Sequence, residues 1–178
     1  MPSPPDAKAI EAGGKYSSFI ERRTGGCRGG VNDEHGTNLF GFGYRSLHGK
    51  IEPPLFLSEK EFYFGNAGAK EKPFTIHRTS RFPSVFLISE NGLPIGRIHS
   101  TGWLRNRYAI RLDGADEVRF HIPLFTTGFY GESGGSTSIW VIVGPSKMEW
   151  NILTGPSLQQ PPLIAAIAFL HLHWWNAS

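Results

Sequence analysis

From residue 55 onward, apolar and polar positions alternate in short runs separated by turn residues. The runs cover 55–64, 74–78, 84–89, 94–100, 106–113, 117–125, 136–143 and 147–153. In the run beginning at Arg107, residues Tyr108, Ile110 and Leu112 share one face, and Arg107 and Arg111 share the other. Phe120, Ile122 and Leu124 repeat that spacing, as do Met148, Trp150 and Ile152. A period of two is the signature of a strand with one buried face. Residues 139–143 are apolar throughout, which predicts a strand covered on both sides. Asn91-Gly92 and Asp113-Gly114 are hairpin turn pairs, because both residue types tolerate positive φ. Two further strands are expected at 15–20 and 37–44.

After Pro161-Pro162 the pattern changes. Pro162 suits the first turn of a helix, and Ala165, Ala166 and Ala168 favour helix over strand. Leu163, Ile164, Ile167, Phe169 and Leu170 point all round the axis, so a helix over 162–175 must be enclosed. The expectation is a mainly β fold. An antiparallel sheet closed into a barrel around a buried hydrophobic C-terminal helix covers every helix face. A β-sandwich with the helix plugging one end satisfies the pattern equally well.

Composition refines this picture. The chain has 178 residues, the length of one domain, with 22 Gly, 13 Pro and only 19% charged residues. Ten of the glycines fall in the first 54 residues, where apolar positions are sparse. Residues 1–14 therefore read as a disordered tail and 15–54 as a Gly-rich, loosely structured segment, with 21–37 a long flexible loop. Residues 55–178 carry the β domain. The stretch Gly25-Gly26-Cys27-Arg28-Gly29-Gly30 lacks the lysine and hydroxyl ending of a phosphate loop. A single cysteine, Cys27, excludes an intramolecular disulfide and a cysteine-cluster zinc site. There is no secretory h-region at the start and no apolar run long enough to span a bilayer, so the expected location is cytoplasmic, at most peripheral to a membrane.

The residues at 74–77 and 85–98, from Phe74-Thr75-Ile76-His77 to Glu90-Asn91-Gly92-Leu93-Pro94-Ile95-Gly96-Arg97-Ile98, form a strand, acidic-x-Gly turn, strand unit. With the hydrophobic helix at 162–175, this resembles the tubby-like superfamily of tubby C-terminal domains, phospholipid scramblases and LURP-one-related proteins. The resemblance covers roughly residues 55–175 and implies a twelve-stranded barrel threaded by the helix. The runs above supply eight strands, or ten with the two near the N-terminus. No acidic stretch adjoins the helix as it does in scramblases, and the phosphoinositide-binding positions of tubby domains do not align to particular residues.

Net charge is +3, too small to imply nucleic acid, yet residues 70–111 alone carry +6. Lys70, Lys72, Arg78 and Arg81 flank one strand, while Arg97, Arg105, Arg107 and Arg111 surround the Gly102-Trp103-Leu104 turn. The candidate anion-binding residues are Arg97, Arg105, Arg107, Arg111, Lys70 and Lys72, which could hold lipid phosphates, with Trp103 dipping into the interface. A plain solvated strand face is the competing account.

His77, His99 and His121 are spaced 22 apart on strand candidates, but the closely spaced His and Glu of a cupin-like metal site are missing. His121 should face away from the core, beside Phe120 and Ile122. His171 and His173 lie about 200° apart on a helix, a poor arrangement for sharing a metal. They should mark the helix end, where one reaches solvent, with Trp174 and Trp175 closing the domain. Neither Cys27 nor the Gly131–Ser136 segment, which reads as a hairpin loop, has the context of a catalytic nucleophile.

The expected function is a non-enzymatic binding or scaffold domain, with no cofactor, partnered by an anionic phospholipid surface or a protein. The alternatives are a barrel carrying a small apolar ligand and a cupin-like metal-dependent enzyme.

Overall fold

The computed structural model describes residues 13–23, 26–46, 60–65, 74–102, 106–123, 126–146 and 148–177. They form one antiparallel sheet and one C-terminal helix. The strands are β1 (Lys15–Arg23), β2 (Gly26–Asp33), β3 (Asn38–Ser46), β4 (Lys60–Gly65), β5 (Phe74–Arg81) and β6 (Ser84–Glu90). They continue with β7 (Leu93–Ser100), β8 (Arg107–Leu112), β9 (Val118–His121), β10 (Gly128–Ser133), β11 (Ser136–Val143) and β12 (Glu149–Thr154). Each strand pairs with its neighbours in sequence, and β1 pairs with β12 as well as with β2. At that seam Ser18 lies opposite Trp150, and Tyr16 opposite Ile152.

A 3-10 turn at Pro156–Leu158 leads into α1 (Pro161–Ala177). Every residue from Leu163 to Leu170 is buried, whichever way it points. The helix packs against the inward row of the sheet, which includes Ile76, Phe86, Ile88, Ile98, Ile110, Phe120, Val141 and Ile152. The ring of Phe169 meets that of Phe86 edge-on at 4.8 Å. Such a helix can carry no orphan backbone donors at its start. Pro161 and Pro162 have no N–H to orphan, and the amides of Leu163 and Ile164 both donate to the Gln160 carbonyl.

The period-two expectation holds: β9 alternates strictly between buried and exposed positions, and Arg107 and Arg111 face outward from β8. The sandwich expectation called for two facing sheets, whereas the described strands belong to one. The Asn91-Gly92 pair makes a two-residue hairpin turn with φ of 50° and 83°. Gly134 and Gly135 do the same between β10 and β11.

The N-terminal expectation needs correction. Residues 26–33, expected within a flexible loop, are strand β2, paired along its length with β1 and in part with β3. Strands β1 to β3 belong to the same sheet as the rest, so residue 55 is not a boundary in the pairing. Strand β10 was also not anticipated. Residues 1–12 and 47–59, including most of the expected tail and the start of the run at 55–64, lie outside the described residues.

Candidate functional site: a basic outer face on strands β7 to β9

Sheet register decides which of the expected basic residues meet. Arg97 on β7 lies directly opposite Arg111 on β8. Arg107 lies four residues from Arg111 on β8, hence on the same face, opposite His121 of β9. Arg119 of β9 and His99 of β7 flank Ala109 from either side. Arg97, Arg107, Arg111 and Arg119 are exposed, while the small Ala109 is fully buried between their strands.

Arginines placed directly opposite one another have Cβ atoms about 5 Å apart, and like charges there are destabilising. Arg119 has no arginine opposite it: it lies between Ala109 and Glu132, and the Glu117 carboxylate accepts from its Nε at 2.8 Å. That hydrogen bond, followed in size by opposing desolvation and then by the Arg119 charge, holds the Glu117 pKa below its ordinary value. Arg97, Arg107 and Arg111 have no acidic partner within salt-bridge distance among the described residues.

His99 is half-buried in this face, and its Nδ1 is shielded from solvent without a hydrogen-bond partner among the described residues. Burial lowers its pKa. Glu117 partly offsets this, and Arg97, Arg119 and Arg111 reinforce it.

Of the seven expected anion-binding residues, the structure therefore brings together Arg97, Arg107 and Arg111. Lys70, Lys72, Trp103 and Arg105 lie outside the described residues. Arg78 is opposite the buried Phe86, and its guanidinium sits 5.0 Å from the centre of that ring, so it caps the interior instead of joining the outer face. Arg119, His99 and His121 were missed as members of the face. The alternation through Arg119-Phe120-His121 signals their outward direction, but only the register places them beside Arg107 and Arg111.

The histidines of the metal alternative do not converge. His77, His99 and His121 stand on β5, β7 and β9, each two strands from the next, or about 10 Å at the usual strand spacing. His121 is exposed, and its Nε2 lies 3.1 Å from the Asn106 amide nitrogen. Among the described residues no three His, Cys, Asp or Glu side chains are grouped to hold a metal ion.

At the helix end, His171 is fully buried, and its Nδ1 lies 2.9 Å from the Ser18 hydroxyl. Trp150 stacks on its ring at 4.4 Å. This Ser–His pair is sealed inside the core, where no substrate reaches it. His173 is the half-buried member of the two, and Trp174 is buried, as expected for a residue closing the domain. Cys27 lies on β2, and its side chain is outside the described set.

Two surface clefts lie among the described residues away from this face or at its edge. One of about 460 Å³ lies beside the start of α1, between Tyr16, Leu39, Phe40, Gln159 and Ile164. Its Asp33 is occupied in the β2–β3 turn, where one carboxylate oxygen accepts from the amides of His35 and Thr37. The other, about 320 Å³, lies beside Asp116, Glu117, Arg119 and Glu132. Among the described residues no helix is long and apolar enough to cross a membrane. Comparison of the chain with protein-family models, with curated proteins and with solved structures finds no match.

Proposed function

We propose that this chain is a tubby-like closed barrel around a central helix and that it binds anionic phospholipid headgroups on the outer face of β7 and β8. The fold reading is supported by the pairing of β1 with both β2 and β12 and by the burial of residues 163–172 of α1 on all sides. The observation that carries the binding reading is the placement of Arg97 directly opposite Arg111, exposed and without acidic partners, with Arg107 on the same face. Two guanidinium groups set side by side in this way match the oxygens of one phosphate group. Arg105 and Trp103, between β7 and β8, extend the proposal in sequence; Lys70 and Lys72 precede β5, whose first residue Phe74 pairs with Glu90, and are not part of it. The competing carrier reading needs an interior cavity, and the side chains of α1 occupy the interior. The location that follows is the cytoplasmic surface of a membrane, reached peripherally.

Co-sedimentation with vesicles tests this. Phosphatidylcholine vesicles containing phosphatidylserine or a phosphoinositide should bind the protein, and binding should weaken as salt is raised. Pure phosphatidylcholine should not bind it. Equal binding to both, or to neither, rejects the reading.

A further inference from the structure

Phe82 is the most exposed large apolar side chain among the described residues, at 84%, and it occupies the two-residue turn between β5 and β6. A hydrophobic residue at the tip of a hairpin contributes nothing to the core. Exposed Arg81 precedes it and exposed Pro83 follows it. Sheet topology places this tip at the same end as the β7–β8 connection, the start of β8 at Arg107 and the end of β9 at His121.

Among the described residues the turns at the opposite end carry more acidic than basic side chains, with Lys15 at the start of β1 and Arg111 near the end of β8 as the basic ones. Asp33 and Glu34 lie at the β2–β3 turn, Glu90 at the end of β6, Asp113 and Asp116 at the β8–β9 turn, and Glu132 near the end of β10. At the Phe82 end, the acidic side chains described are Glu21 and Glu149, on β1 and β12, remote from β5–β9 in the strand order. Among the described residues, one end is thus predominantly acidic, and the other, over β5–β9, is basic and tipped by a phenylalanine.

We infer that the Arg81-Phe82-Pro83 tip inserts into an anionic bilayer and orients the protein with the Asn91-Gly92 end away from the membrane. This rests on the binding reading above and specifies its docking geometry. Arg107 belongs both to this end and to the basic face, so the bilayer meets the corner between tip and face. Phe82 enters the headgroup boundary, where its ring leaves water, while Arg81 and Arg107 remain at the level of the phosphates. The acidic end would be repelled by the same surface.

Leu93 provides an internal control. It is 71% exposed, stands at the opposite end of the sheet, and follows the Glu90-Asn91-Gly92 turn. In a Cys27→Ser background, Phe82→Cys and Leu93→Cys are each labelled with a polarity-sensitive fluorophore. They are then mixed with phosphatidylcholine vesicles containing phosphatidylserine and a phosphoinositide. The emission of the label at 82 should shift to the blue, and that at 93 should not. Phe82→Ala should weaken vesicle binding by on the order of tenfold, the effect of removing one apolar anchor. Phe82→Trp should retain binding. If the vesicles bind the protein but the label at 82 stays water-like, or the label at 93 shifts, the orientation is wrong and the binding reading stands. If unlabelled protein fails to bind anionic vesicles, both fall together.

Discussion

The Ser18 hydroxyl and the His171 ring lie 2.9 Å apart in the core, although 153 residues separate them in sequence. Their contact joins the first strand of the sheet to the last turns of the helix that packs against it. Trp150, opposite Ser18 on β12, stacks on the same imidazole, so three distant segments share one contact. Ser18→Ala removes a polar partner from a buried ring nitrogen and should cost about 1–3 kcal/mol of stability. Chemical denaturation measures it. An unchanged midpoint would show that the pair adds nothing.

Removing residues 161–177 should leave a chain that does not fold. Five buried apolar side chains of α1, Leu163, Ile164, Ile167, Phe169 and Leu170, each stabilise by about 1.5–3 kcal/mol. Their sum rivals the whole stability of an ordinary domain. Expression of the shortened chain should give aggregated protein. A soluble product with a cooperative melt would reject the helix as the core.

Arg97→Gln should move stability and binding in opposite directions. Removing one of two arginines in direct register relieves a repulsion of about 0.2–1 kcal/mol, so the melting temperature rises slightly. The same change removes half of the proposed phosphate clamp, and affinity for anionic vesicles falls. Loss of both stability and binding would mark Arg97 as structural.

The half-buried position of His99 predicts a pH-dependent stability. Burial is the main reason its pKa lies below the ordinary 6.5, so the folded chain takes up this proton at lower pH than the unfolded chain does. Stability from this residue is therefore fully present above about pH 6.5 and declines as pH falls toward the depressed folded value. Glu117, also lowered, acts in the same direction, beginning below its ordinary 4.5. The melting temperature of His99→Gln should fall less on acidification below about pH 6.5. Parallel curves for the two proteins would contradict the assignment.

Gly131 is required by its neighbour. A β-carbon there would stand 2.5 Å from the ring of Phe120, the residue opposite it on β9. Gly131→Ala should destabilise by about 1–3 kcal/mol through overpacking. Combining it with Phe120→Leu should recover part of the loss, and thermal melts of the single and double variants measure the coupling.

The same relation explains why two strands were not legible in the sequence. Both β2 and β10 contain glycines that suggest loops, yet at Gly30 a β-carbon would sit 2.8 Å from the ring of Phe19, just as Gly131 accommodates Phe120. Glycine at these positions makes room for an aromatic ring on the adjacent strand, and that demand is set by register, which local composition does not encode. The helix was legible because its apolar residues leave no polar face. Most of the other strands were legible because Phe74, Ile76, Tyr108, Ile110 and Phe120 keep a strict alternation. Arg97, Arg107 and Arg111 were visible as a local charge excess. Arg119 escaped because it belongs to the next strand, where Glu117 and Asp116 cancel it in any linear count.

The pairing of β1 with β12 also sets the order of assembly. Lys15 must find Leu153, and the hairpins between them can form from local contacts long before that. Pairings so distant in sequence are slow, because loop entropy is lost before any contact compensates for it. Until α1 has been synthesised, the inward rows of β5–β11 have nothing to close upon. A growing chain therefore carries an open, sticky sheet through most of its synthesis, and its folding yield in the cell depends on holding that surface apart from other chains until the final segment arrives.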